Sequence, residues 1–183
     1  MEKNLKHFKE GIFSLNTRRF GKIAEIMIKK LYDLHDSKDN AYDLIDNDGN
    51  KVEVKFSTVL KKSSSSIEED NILESIFEAN IENRVLSYAM IKEYLFDSNI
   101  QQIKTKEFDV LYYGCFFEDR VMICKIEANK IPNDPDIMYS NKQHRGNDGE
   151  GQFHINNKTI DYHVEEYLED WIMYEELLKL FED

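Results

Sequence analysis

Apolar residues recur at helical spacing from about residue 17 to 35, where Phe20, Ile23, Ile26, Met27, Leu31 and Leu34 share one stripe and Thr17 is placed to cap the first turn. The pattern predicts an amphipathic helix. After the polar break at 35–40 the spacing changes to two. The runs 41–46 and 51–57 alternate, and the Asn47-Asp48-Gly49-Asn50 segment between them predicts a β-hairpin. The serine-rich stretch 61–66 reads as a loop, and 67–93 is mostly helical in periodicity. Two almost wholly apolar runs, 108–117 and 120–127, predict paired strands in the middle of a covered sheet. Both prolines fall within 132–150 among glycines, asparagines and aspartates, which predicts a long loop of the kind kept for function. Residues 151–156 read as a short strand and 163–182 as a closing helix. The sum is an α/β fold, a mixed sheet of about five strands flanked by helices, and the 183-residue length predicts one domain over residues 1–183.

Composition narrows the class. With 41% hydrophobic residues the chain has ample material for a core, and no apolar run approaches the roughly 20 residues that span a bilayer. No apolar segment follows the basic start, so a cytoplasmic protein with no membrane partner is expected. Cys115 and Cys124 lack the spacing of a zinc or redox site and read as core residues. A formal charge of -12 argues against a protein coated in basic residues for nucleic acid. That charge is unevenly placed. Residues 1–30 hold eight basic against three acidic side chains, and 165–183 hold eight acidic against one basic.

The hairpin carries the candidate chemistry. A three-residue loop of Asn47, Asp48 and Gly49, with Gly49 left-handed, sets Asp43 opposite Glu53. Lys51 and Lys55 then share their side, and Tyr42, Leu44, Val52, Val54 and Phe56 take the other. A register slipped by one turns Asp43 to the apolar side, where an unpaired carboxylate is costly. Two converging carboxylates suit Mg²⁺, which prefers a few carboxylates plus waters and phosphate oxygens. Lys55 is placed to orient a water, stabilise phosphorane charge or accept a proton. Asp46 and Asp48 read as turn residues. Glu-x-Lys alone is common on a solvated edge, so Asp43 in register and the preceding Glu25 carry the functional reading.

Asp43, nine residues, then Glu53-Val54-Lys55 on strands after a helix resembles the PD-(D/E)XK nucleases, and within them the type II restriction endonucleases. The motif covers residues 18 to 57. The resemblance implies a restriction-endonuclease-like core in which Asp43 and Glu53 hold Mg²⁺ with the carbonyl of Val54, Mn²⁺ being able to substitute. It implies that Lys55 acts on the attacking water and that Glu25 on the preceding helix reaches the metal shell. Tyr42 stands where the motif has proline, which leaves both Asp43 and Asp46 as candidates for the first ligand. Cleavage of both strands at a short palindrome implies a homodimer on double-stranded DNA, and a restriction enzyme implies a cognate DNA methyltransferase.

A second constellation lies at 139–156. Asn141, Lys142, Gln143, His144, Arg145, Asn147, Gln152 and His154 are residue types that read base edges, and three glycines would let the loop approach a duplex. Phosphate contact falls to Arg18, Arg19, Lys22, Lys61 and Lys62. The acidic surface leads to the expectation of one local basic cleft around Asp43, Glu53 and Lys55. Two other classes use the same residues. One is a structure-directed or repair nuclease of the junction-resolvase kind, and the other is a non-enzymatic acidic interaction protein with a nuclease-like fold.

Overall fold

A computed structural model describes residues 2–62, 66–142 and 149–182. Helices α1 (Glu2–Phe13) and α2 (Thr17–Leu31) lead into short strands β1 (His35–Asp36) and β2 (Leu44–Ile45) and the long strand β3 (Lys51–Thr58). Short helices α3 (Ile72–Glu78) and α4 (Ile81–Arg84) follow, with a 3-10 turn at Tyr88–Met90. Strands β4 (Asp97–Ile103), β5 (Val110–Phe116), β6 (Arg120–Glu127) and β7 (Gly151–Asn156) come next, then helix α5 (Ile160–Tyr167), strand β8 (Leu168–Met173) and helix α6 (Tyr174–Glu182).

The fold is α/β. A six-stranded mixed sheet runs β1-β2-β3-β5-β6-β8, and β4 and β7 form a separate two-stranded sheet. Strand β3 is parallel to β5, and the other pairings are antiparallel. Strand β5 is buried along its whole length, as its unbroken apolar run requires of a strand covered on both faces. A Cβ at Gly114 would lie 1.8 Å from the Met122 carbonyl oxygen, so only glycine fits there against β6.

Side-chain alternation splits the core in two. Val52, Val54, Val110, Tyr112, Val121 and Ile123 pack with Ala24, Met27 and Ile28 of α2 and Leu177 of α6. On the opposite face Leu111, Tyr113, Cys115, Met122 and Cys124 pack with Ile100 and Ile103 of β4 and Phe153 and Ile155 of β7. Tyr113 meets Phe153 edge-on at 5.1 Å, joining the large sheet to the small one. The two cysteines are free and buried in this second core, as their apolar surroundings predicted.

Several boundaries differ from the sequence reading. Asn16 caps α2, accepting from the Arg19 N–H at 3.1 Å, and Thr17 lies inside the helix. The helix ends at Leu31 because Asp33 adopts a left-handed backbone with φ 53°. The chain then buries Leu34, and His35 and Asp36 pair with Ile45 and Leu44. The closing segment 163–182 is two helices with an edge strand between them. Trp171 packs with one core and Ile172 with the other, a division of adjacent side chains that a strand provides and a helix does not. Among the described residues no helix is long and apolar enough to cross a membrane.

Candidate active site

Strand β3 positions the chemistry. Its alternation sends Val52 and Val54 toward the helices and Glu53 and Lys55 to the face under β4. The hairpin closes as its sequence predicts. Asp46 N–H donates to Asn50 O and Gly49 N–H to Asp46 O, each at 3.1 Å, with Gly49 at φ 87°. Leu44 pairs with Val52 and Ile45 with Lys51, a register that continues to Asp43 opposite Glu53.

At Asp43 the regular ladder gives way. Its N–H donates to Val52 O at 3.0 Å, and its Oδ2 accepts from the Val54 N–H at 2.9 Å. A carboxylate has taken the place of a backbone partner and is thereby pinned beside β3. The N–H and C=O of a strand residue point to the same edge, so the Val54 carbonyl faces the same side as Asp43. Tyr42 does not follow the expected alternation. It packs into the β4–β7 core with the Lys51 ammonium 5.5 Å from its ring centroid, because the strand pattern ends with the ladder.

Asp46 is a turn residue. It accepts from the N–H groups of Asp48 and Asn50 and from the Asn50 side-chain amide. Desolvation raises its pKa, but these hydrogen bonds overcome it and hold the carboxyl below its ordinary value. Of the two acids that the sequence left open, Asp43 is the one that lines the cleft with Glu53 and Lys55.

That cleft has a volume of about 270 Å³. Glu53 is 9% exposed, and burial pushes its pKa up to about 7, with Lys55 opposing the rise and Asp43 adding to it. The Lys55 ammonium nitrogen lies 2.5 Å from Glu53 Oε1. Two carboxylates and a carbonyl form an all-oxygen donor set of the kind Mg²⁺ takes when it keeps waters and substrate oxygens. A carboxylate forced toward neutrality by burial and a second carboxylate gains from a cation, so Asp43, Glu53 and Val54 fit Mg²⁺. No cage of three or more His, Cys, Asp or Glu side chains forms among the described residues.

Sequence reasoning missed the facing wall. Gln102, Lys104, Glu107 and Glu150 line the cleft with Asn40 and Phe108. Gln102 sits at a bulge between Gln101 and Ile103 with φ 59°, which swings it out of the β4–β7 ladder. The sequence alone does not announce the bulge, because a spacing of three between Ile100 and Ile103 also suits a helix; in the structure both are fully buried on one strand, which requires an extra residue between them. The lining now holds four carboxylates, Asp43, Glu53, Glu107 and Glu150, against Lys55 and Lys104. The cleft is thus acidic in composition, not the basic cleft expected, because Glu107 after β4 and Glu150 before β7 add two carboxylates to its outer wall against Lys104 alone.

The remaining candidates scatter. Glu25 is paired with Lys22 at 2.6 Å and is not brought among the cleft-lining side chains. Arg18, Arg19 and Lys22 are exposed in the first half of α2. Lys61 lies 4.3 Å from the Tyr94 ring centroid, and Lys62 is exposed beside it. Asn141 and Lys142 are exposed, and Asn141 lines a cavity shared with Lys104 and Glu107. Gln152 accepts from the Asn99 amide at 3.0 Å, and His154 Nδ1 meets Asp97 Oδ1 at 2.8 Å. Gln143, His144, Arg145 and Asn147 lie outside the described residues. Comparison with protein-family models and with curated proteins gives no match, so the reading of the cleft rests on its own geometry.

Proposed function

We propose that this chain is a Mg²⁺-dependent type II restriction endonuclease with a restriction-endonuclease-like PD-(D/E)XK core, cutting double-stranded DNA at a short site as a homodimer. A single observation carries the reading: Asp43, Glu53 and Lys55 converge in one cleft, with the Glu53 carboxyl raised to about 7 by burial. The order of helix α2, the β2–β3 hairpin and β5 parallel to β3 is compatible with that core.

Asp43 and Glu53, with the Val54 carbonyl, would hold the ion. Bound there, Mg²⁺ supplies Lewis-acid polarisation of the scissile phosphate and acidification of a water. The chain's residues do the rest. Asp43 Oδ2 is fixed by the Val54 N–H, which leaves Oδ1 as the oxygen that would meet the ion. Glu53 gives up its proton near neutral pH, which ties occupation of the site to pH. Lys55, held on the same face by strand alternation, orients the nucleophile and stabilises charge on the phosphorane. The acidic lining repels a phosphodiester until a cation offsets it, so DNA enters a loaded site in preference to an empty one. A cognate methyltransferase would protect the host's copies of the site.

Gln152 and His154 are satisfied by Asn99 and Asp97, which favours as second reading a structure-directed nuclease whose 139–156 region contacts backbone. One experiment separates the two. Purified protein is incubated in Mg²⁺ with unmethylated plasmid, phage and four-way-junction DNA, beside EDTA and Glu53→Ala controls, and the ends are sequenced. Linear fragments sharing one end sequence support the restriction reading. Cleavage confined to the junction supports the second, and intact DNA on every substrate opposes both.

A further inference from the structure

We propose that Gln102 is a further substrate-contacting residue of the cleft, its side-chain amide donating to a non-bridging oxygen of the phosphodiester. This role rests on the hydrolytic reading of the cleft and adds a residue to it. Gln101 pairs with Gln152 and Ile103 with Gly151, so Gln102 is the extra residue of a bulge and has no cross-strand partner. Its backbone is left-handed at φ 59°, where a bulge ordinarily carries glycine. The other two non-glycine residues with positive φ among those described have a local reason. Asp33 follows the end of α2 and Met138 caps a 3-10 turn, positions where left-handed residues are routine. Gln102 lies inside strand β4 and ends no helix.

The surroundings hold this strain in place. Ile100 and Ile103 are buried on either side of the bulge. Across the ladder Gly151 leaves room for Tyr139: a Cβ there would lie 2.0 Å from the Tyr139 hydroxyl oxygen, and that hydroxyl donates to the Ile103 carbonyl at 3.4 Å. A braced bulge beside a cleft re-aims a side chain, and strain of this kind persists where the side chain is used. The lining shows what Gln102 adds. A phosphodiester offers hydrogen-bond acceptors, and the ionised carboxylates of the cleft are acceptors too. Among the donors, Lys55 is paired with Glu53 at 2.5 Å and Lys104 with Glu107 at 3.5 Å. The Gln102 side chain has no hydrogen-bond partner among the described residues, so it can donate to substrate without breaking an ion pair. Asn40 brings a second amide to the cleft, but from a turn without positive φ, so no strain singles it out.

Single-turnover cleavage of plasmid DNA by the full chain in Mg²⁺ is compared with thermal melting for wild type, Gln102→Gly and Gln102→Glu. Glycine relieves the left-handed strain and removes the donor together. Gln102→Gly therefore melts level with or above the wild type and keeps the Mg²⁺-dependent melting rise, while its maximal cleavage rate falls about 100-fold. Gln102→Glu keeps the length and the strain but exchanges the donor for a further carboxylate, and its rate falls at least as far. Variants that cut at the wild-type rate overturn this role and leave Asp43, Glu53 and Lys55 as the hydrolytic set. A Gln102→Gly variant that melts lower than wild type makes the bulge structural, and one that loses the Mg²⁺-dependent rise makes Gln102 an ion ligand; either result overturns the donor role. A wild type that cuts no DNA overturns the hydrolytic reading itself, and the role of Gln102 with it.

Discussion

Glu53→Gln should stabilise the cation-free protein at alkaline pH, although it removes an acid paired with Lys55. Burial lifts the Glu53 carboxyl from 4.5 to about 7, so the folded chain keeps a proton that the unfolded chain releases. The contribution to stability is fully present below 4.5 and is lost as pH rises through about 7. At about 1.4 kcal/mol per pH unit, the full separation corresponds to roughly 3 kcal/mol of destabilisation above pH 7. The variant also leaves Lys55 facing an amide where it had a carboxylate oxygen at 2.5 Å. The pull of Lys55 is already contained in the value of about 7, so the gain stays at roughly 3 kcal/mol, or roughly 6–12 °C in melting temperature for a chain of this size. Thermal melts in EDTA at pH 8 and pH 5 provide the assay. The variant melts higher than wild type at pH 8 and level with it at pH 5, and Mg²⁺ raises only the wild type. A variant that is destabilised at pH 8, or stabilised equally at both pH values, would show that Glu53 does not carry a burial-raised proton.

His163 makes the fold sensitive to acid. It is buried with Nε2 unpartnered, and burial holds its pKa down to about 4, so stability falls by roughly 3 kcal/mol as pH drops from 6.5 to 4. Urea denaturation across that range measures the slope, best in the Glu53→Gln background because Glu53 slopes the opposite way in an overlapping window. Asp46→Ala should cost about 1–2 kcal/mol through its turn hydrogen bonds yet retain the melting-temperature rise with Mg²⁺. Asp43→Ala should abolish that rise, and a retained rise would assign the ion elsewhere. Gly114→Ala drives a methyl group into the Met122 carbonyl and should cost at least about 3 kcal/mol, seen as insoluble expression or a collapsed melting temperature.

The hairpin was legible because local rules and the core agree there. Gly49 supplies the left-handed turn position, and Leu44, Val52 and Val54 match one face, which leaves Glu53 and Lys55 no other side. The central strands were equally plain from their unbroken apolar runs. Strand β8 was hidden because Leu168 to Met173 carries helix-compatible residues, and pairing with β6 overrides their local preference. The outer wall of the cleft was hidden for a different reason. Gln102 and Glu150 approach Glu53 only through the β4–β7 pairing, a contact between segments far apart in sequence that their polar residues do not announce. Tyr42 changed sides because alternation holds only as far as the ladder does.

If Asp43, Glu53 and Lys55 form one hydrolytic site, Lys55→Ala separates hydrolysis from ion binding. Single-turnover cleavage of plasmid DNA in Mg²⁺ is compared with the Mg²⁺-dependent melting rise for wild type and variant. The variant should keep the melting rise while its cleavage rate falls about 1,000-fold or more. A folded wild type that binds Mg²⁺ and leaves every DNA intact, or a Lys55→Ala variant that cuts at the wild-type rate, would rule out hydrolysis at this site.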